Sequence, residues 1–183
     1  MAEYYLISQL PSLDAVNDNT PVPITEERFT ELCSRFLGQK AMRELEKLTL
    51  IPPSDAEKSR FSIVDEWNEG ERNLRLALCK VRADRMNKAF DLKNKFIPSE
   101  LYKVAASAAE AENPLEAERH LLNYRLSFLE TLRPSDSFSE SFIFYYALKL
   151  KLILRIRDFD KKSGEAAYKN IYDSILNGSR MEA

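Results

Sequence analysis

The sequence predicts an all-α fold, a bundle of about six to seven helices. Three observations carry this. Eight prolines cut the chain into blocks. The blocks between them repeat apolar residues at spacings of three and four, and none alternates in the manner of a half-buried strand.

Residues 1–23 open the chain, with Pro11, Pro21 and Pro23 framing a polar loop. Tyr4, Tyr5, Leu6, Ile7 and Leu10 make this stretch an apolar N-terminal arm, either extended or a short strand. Thr25-Glu26-Glu27 supplies a hydroxyl cap and first-turn acids, and Phe29, Leu32, Cys33, Phe36 and Leu37 follow at helical spacing. Gly38 breaks this helix before a second segment that ends near Leu48. Beyond Pro52-Pro53, one stripe runs through Val64, Trp67, Leu74, Leu78 and Val81, with Phe61 and Met86 extending it. Pro98-Ser99-Glu100 starts an alanine-rich helix that reaches about Ala111. Asn113-Pro114 starts the next, with asparagine as cap and proline where its missing N–H costs nothing. Leu115, Leu122, Leu126 and Leu129 form its buried face, and Pro134 follows its end.

Between Phe138 and Phe159, apolar residues cover most of the helix circumference. The polar remainder is a stripe through Glu140, Lys151, Arg155 and Asp158, with Lys149 standing alone. Such a helix belongs at the centre of a bundle. Asp160 to Gly164 reads as a turn, and Glu165 to Leu176 as a closing helix capped by Asn177-Gly178. The whole chain, 1–183, is read as a single helical domain. Residues 1–23 are its arm and loop, 24–97 a first helical unit and 98–183 a second.

Composition narrows the classes of function. At 44% hydrophobic and 31% charged over 183 residues, this is an ordinary soluble globular composition, with length enough for a core without disulfide or metal. Lysines and arginines number 27 against 29 acidic residues, which argues against a general nucleic-acid binder. Cys33 and Cys79 form no CxxC and have no histidine motif beside them; a single disulfide is one reading, and two reduced, partly buried thiols the favoured one. The start of the chain lacks the basic and apolar regions of a signal peptide. The stretch from Phe142 to Ile156 is broken by Lys149, Lys151 and Arg155 and is shorter than the ~20 residues that cross a bilayer. The expected location is cytoplasmic, at most peripheral on the inner face of the plasma membrane through partners.

No catalytic residue, cofactor or metal site is predicted. The single histidine, His120, lies in Glu116-Ala117-Glu118-Arg119-His120, where alanine occupies the position that a Glu-x-x-His metal motif needs filled by glutamate. The chain has no GxxxxGK[ST], GxGxxG or GxSxG. Two carboxylates stand out instead. Glu71 falls on the Trp67–Leu74–Leu78 stripe and Glu118 on the Leu115–Leu122–Leu126 stripe, with Arg75, Arg82 and Arg125 within one to three turns. An acid pair with raised pKa values is one reading. The favoured one is a set of structural ion pairs that fix helix register. The aromatics and cations of the last long block, Phe142, Phe144, Tyr145, Tyr146, Lys149, Lys151 and Arg155, are candidates for partner docking, because they exceed what a small bundle readily encloses.

Several segments bring a family into view. They are Tyr4-Tyr5-Leu6-Ile7-Ser8-Gln9-Leu10-Pro11, Glu66-Trp67-Asn68-Glu69-Gly70-Glu71-Arg72-Asn73-Leu74-Arg75 and Asn113-Pro114-Leu115-Glu116-Ala117-Glu118-Arg119. Phe144-x-Tyr146-Ala147-Leu148-Lys149-Leu150-Lys151 and Arg157-Asp158-Phe159-Asp160-x-x-x-Gly164 complete them. In order and number they resemble an uncharacterised family encoded within bacterial V/A-type ATPase (ATP synthase) operons, similar to a reduced central-stalk C/d subunit. The resemblance implies a C/d-like fold and a non-catalytic subunit or assembly partner of that rotary ATPase. It would dock at the junction of central stalk and membrane ring, in ATP-driven or ATP-forming proton or sodium transport. The implied partners are the other ATPase subunits, with no nucleic acid and with membrane contact only through them. The alternative is a free-standing helical adaptor for an unrelated protein.

Overall fold

The computed structural model describes residues 2–14, 16, 20–53, 58–90, 96–158 and 171–172. Among them run seven helices and no strand: α1 (Ala2–Gln9), α2 (Glu26–Phe36), α3 (Gln39–Lys47), α4 (Ser62–Arg85), α5 (Ser99–Glu110), α6 (Pro114–Thr131) and α7 (Glu140–Asp158). The all-α expectation holds. The closing helix expected over 165–176 lies, apart from residues 171 and 172, outside the described residues, as do Phe159 and the turn after it.

Local chemistry sets the helix ends. The Thr25 hydroxyl accepts the Arg28 N–H at 3.2 Å and starts α2. Asn113 Oδ1 accepts the Glu116 N–H at 2.9 Å and starts α6, with Pro114 at its first position. Gly38 separates α2 from α3. At the N-terminus the expectation of a strand or extended arm fails, because residues 2–9 are helical. Helical geometry spreads the apolar run around the axis, so Leu6 is fully buried while Tyr4 and Tyr5 face solvent. Met86 likewise does not extend the α4 stripe. It caps that helix and is exposed.

Helix α7 is central. Every residue from 143 to 150 is buried, Lys149 included. Contacts from α3, α4 and α6 close around it, and Leu6, Leu13 and Ile24 of the N-terminal region add to the same core. The core divides into two clusters. The larger holds α7, α2, α3, Trp67 and the inner face of α6 at Leu122 and Leu129. The smaller joins Leu74, Ala77 and Leu78 of α4 to α5 and to Leu121 of α6. Helix α4, 24 residues and so about 36 Å long, passes through both. The division therefore follows the middle of α4 and α6, with residues from both sides of position 97 in each cluster.

At that seam the two long helices approach closely. A methyl group on Gly70 would stand 2.3 Å from the Phe128 ring, and Phe128 is itself wedged between Trp67 and Tyr124. Alanine would add about 1 kcal/mol of helix propensity. Pushing a held aromatic ring aside costs about 1–3 kcal/mol. Gly70→Ala is therefore expected to destabilise the chain by about 1 kcal/mol net, read as a lower urea midpoint. A higher midpoint would show that α4 and α6 have room to part.

Candidate functional site

The charged residues singled out in the sequence meet at the seam between the clusters. Glu71 on α4 is 2% exposed and sits where an apolar side chain would ordinarily pack. Arg125 of α6 grips it with two bonds, Nε to Oε2 at 2.9 Å and Nη2 to Oε1 at 2.8 Å. This fork is the strong geometry for a guanidinium and a carboxylate. Arg75, one turn along α4, donates Nε to the same Oε1 at 2.9 Å. The ladder continues outward. Arg125 Nη1 stands 3.7 Å from Glu118 Oε1, and Arg155 of α7 donates Nε to that oxygen at 2.8 Å. Three guanidiniums and two carboxylates thus alternate across α4, α6 and α7.

The sequence left the partners of the two glutamates unassigned among Arg75, Arg82 and Arg125; Glu71 pairs with Arg75 and Arg125, and Glu118 lies beside Arg125. Arg82 is exposed and takes no part; it lies about three turns, or about 16 Å, along α4 from Glu71. Arg155, read as a docking residue, is the outer rung. Burial works against the charge on Arg125, but the bonds from Glu71 and the nearby Glu118 more than offset it and raise its pKa. One nitrogen, Nη1, is buried without a hydrogen-bond partner among the described residues.

The second ionic centre was signalled only by the isolation of Lys149. Its ammonium is buried in α7 and reaches Asp14 Oδ1 at 2.5 Å, Glu130 Oε1 at 2.6 Å and the Tyr145 hydroxyl at 3.3 Å. Tyr145 in turn donates its hydroxyl to Glu130 at 2.7 Å. Burial would lower the Lys149 pKa, yet the bonds to Asp14, Glu130 and Tyr145 outweigh it and the pKa rises. Asp14 is lowered, first by its bond to Lys149. Burial pushes Glu130 upward, but Lys149 and Tyr145 hold it below its ordinary range. Asp14 lies 135 positions from Lys149, a separation that no periodicity exposes.

The docking candidates need correction. Phe144 is fully buried and stacks on Phe61 at 4.1 Å between ring centres. Tyr145 and Tyr146 are buried too. Tyr146 stacks on Phe29 at 5.3 Å and donates its hydroxyl to the Pro11 carbonyl at 2.8 Å. Phe142 is half-buried under the Arg133 guanidinium, and Lys151 is paired with Glu26. The bundle encloses this block because the N-terminal residues fold over it as α1 and the loop to Asp14, supplying core that the arm reading left out. Exposed aromatics among the described residues lie elsewhere: Tyr4 against Phe138 at 4.9 Å, Tyr5 beside them, and Phe96 and Tyr172 apart.

His120 is exposed, and no group of three or more metal-ligating side chains forms among the described residues. Two open grooves flank residues 48–53. One, about 630 Å³, includes Glu44, Lys47 and Lys58; the other, about 600 Å³, includes Glu26, Lys151 and Arg155. Neither of these two is lined by Glu71 or Glu118. Cys33 is buried, which pushes its thiol up to about 12, while Cys79 is exposed; both are free.

A family model described as "Protein of unknown function (DUF2764)" matches residues 77–179, more than half of the chain, and the chain belongs to that family. The match starts in the second half of α4, so Arg125, Glu118, Lys149 and Arg155 fall inside it and Gly70, Glu71 and Arg75 before it. No curated protein and no solved structure matches the chain.

Removing the Glu71 charge strands a buried guanidinium. Glu71→Gln is expected to cost about 3 kcal/mol in denaturant unfolding. Glu118→Gln should cost about 1 kcal/mol or less, since Arg125 keeps its fork to Glu71. Equal costs would mean that the fork is not the dominant tie.

Asp14 and Glu130 have folded pKa values below their unfolded ones. Their contribution is therefore full above the ordinary carboxylate range, near pH 4, and is lost as pH falls through the folded values. The stability gap between the parent and Lys149→Met should shift by about 1 kcal/mol or less between neutral and acid pH, in the direction that disfavours the parent in acid. Urea midpoints of the two proteins across that interval check this. A gap independent of pH would contradict it.

Proposed function

We propose that this chain is a non-catalytic subunit or assembly partner of a bacterial V/A-type rotary ATPase, acting by protein–protein docking at the junction of central stalk and membrane ring. One observation carries the reading. Four of the segments by which the sequence resembles the operon family each contribute a residue to an inter-helix tie or a helix cap, with Arg125, Arg155, Asp14 and Glu130 as partners from outside them. Residues 66–75 carry Gly70, Glu71 and Arg75; residues 113–119 carry the Asn113 cap and Glu118; residues 144–151 carry Tyr146 and Lys149; residues 4–11 carry the carbonyl that Tyr146 binds. A resemblance that takes in Gly70, Glu71, Glu118 and Lys149, each at a contact between helices, suits a part that is selected for shape. A coupling element in a rotary machine needs that stiffness, and a charge-patterned surface for specific docking.

No helix among the described residues is long and apolar enough to cross a membrane. Contact with the membrane ring would accordingly run through protein partners, and the ladder would keep α4, α6 and α7 from shearing as load passes between them.

The test is recovery of partners. A tagged full-length chain, expressed at native level in its own cell and purified gently, should bring down the nucleotide-binding and stalk subunits of the ATPase in fixed ratio. Recovery of none of them, or of an unrelated protein alone in stoichiometric amount, would overturn the assignment and favour the adaptor reading.

A further inference from the structure

The first described residues are tied to the central helix at two points. The Pro11 carbonyl accepts the Tyr146 hydroxyl at 2.8 Å, and Asp14 accepts from Lys149 at 2.5 Å. Between α1 and Asp14 the segment sends Leu6 and Leu13 into the core, while Tyr4, Tyr5 and Asp14 stay exposed. Helix α1 has eight residues, below the roughly 12–15 at which an isolated helix becomes even marginally stable. Its order depends on what it lies against. Helix α1 packs against α2, where Phe29, stacked on the Tyr146 ring, and Cys33, one turn further on, are both buried.

We propose that residues 2–14 are a strap that lifts from α7 as a unit while the rest of the bundle stays folded, uncovering Tyr146, Lys149 and Cys33. The physical ground is unequal attachment. Lifting the strap gives up two buried leucines, the partly buried Ile7 and Leu10, the packing of α1 on α2 and two polar clasps, whereas unfolding gives up both hydrophobic clusters and the charge ladder. Opening of a unit with so few buried contacts costs only part of the global free energy. Lys149 does not block the step, because Glu130 and Tyr145 remain to hold its charge.

The face beneath also states what would take the strap's place. It offers an aromatic floor, a hydroxyl donor and an ammonium. A replacing segment would carry an apolar side chain, a free backbone carbonyl and a carboxylate, as residues 6–14 do. Only this last point rests on the docking reading. The lifting is a property of the isolated chain, so its test is independent of partner recovery.

Cys33 is the reporter. In the full-length Cys79→Ser protein it is the single thiol, and its reaction with an aromatic disulfide reagent is followed at about pH 8, without and with sub-denaturing urea. The expected result is labelling at least about tenfold faster than global unfolding permits, with little dependence on urea. Adding Asp14→Asn should speed labelling about threefold, and adding Glu71→Gln instead should lower the global urea midpoint while leaving the labelling rate unchanged, because the Glu71–Arg125 fork lies outside the strap and persists when it lifts. Three results would each overturn the strap: labelling no faster than global unfolding allows; labelling that speeds up in Glu71→Gln in step with its lost global stability; or a labelling rate that Asp14→Asn leaves unchanged.

Discussion

The arrangement of the helices depends on one buried contact, the fork between Arg125 on α6 and Glu71 on α4. It stands where the two hydrophobic clusters meet, with Trp67 packed on one side and Leu74 on the other. An apolar seam would let the helices settle in several registers of similar energy. A carboxylate and a guanidinium out of water accept only the register that pairs them, because any slip strands a charge at a cost of several kcal/mol. Gly70, one residue before Glu71, admits Phe128 to the same crossing, so shape and charge specify a single approach. Arg75 and the Glu118–Arg155 rung carry that restraint outward to α7.

The second constraint is the placement of a cation in the most apolar helix. Lys149 sits within an unbroken buried run, and its charge is tolerable only because Asp14, Glu130 and Tyr145 converge on it. That convergence also positions the N-terminal segment, since Asp14 arrives from the far end of the chain. Core formation and chain closure are therefore coupled at one ammonium. The same coupling hides the aromatic block from the surface and makes any docking by Tyr146 or Lys149 conditional on movement of what covers them. The outer surface offers other material, the Tyr4–Phe138 pair and the charged rim of α7 at Lys151 and Arg155.

Much of the fold was legible. Caps at Thr25 and Asn113, the break at Gly38 and the apolar circumference of α7 act within a turn or two, and local signals of that kind carry over directly into helices. Glu71 and Glu118 could be recognised as out of place on apolar stripes, and the arginines near them as their natural complements. Arg82 could not be told from Arg125, because spacing along a helix says nothing about which neighbour lies across from it. The docking block was misjudged for a related reason. Counting apolar residues shows how much must be covered, and the coverage came from a segment whose short length concealed its helical state.

By itself, then, the amino-acid order determined the helical class, the starts of α2 and α6 and the break at Gly38, the central place of the last long helix and the suspicion attached to two carboxylates, all of which are set by interactions between near neighbours. Only the tertiary structure decided that Arg125 rather than Arg82 grips Glu71, that Arg155 ends the ladder, that Asp14 answers Lys149, and that the aromatic block lies inside. Those outcomes join residues tens of positions apart, and their energies come into being only when burial removes the water that would otherwise satisfy each group separately.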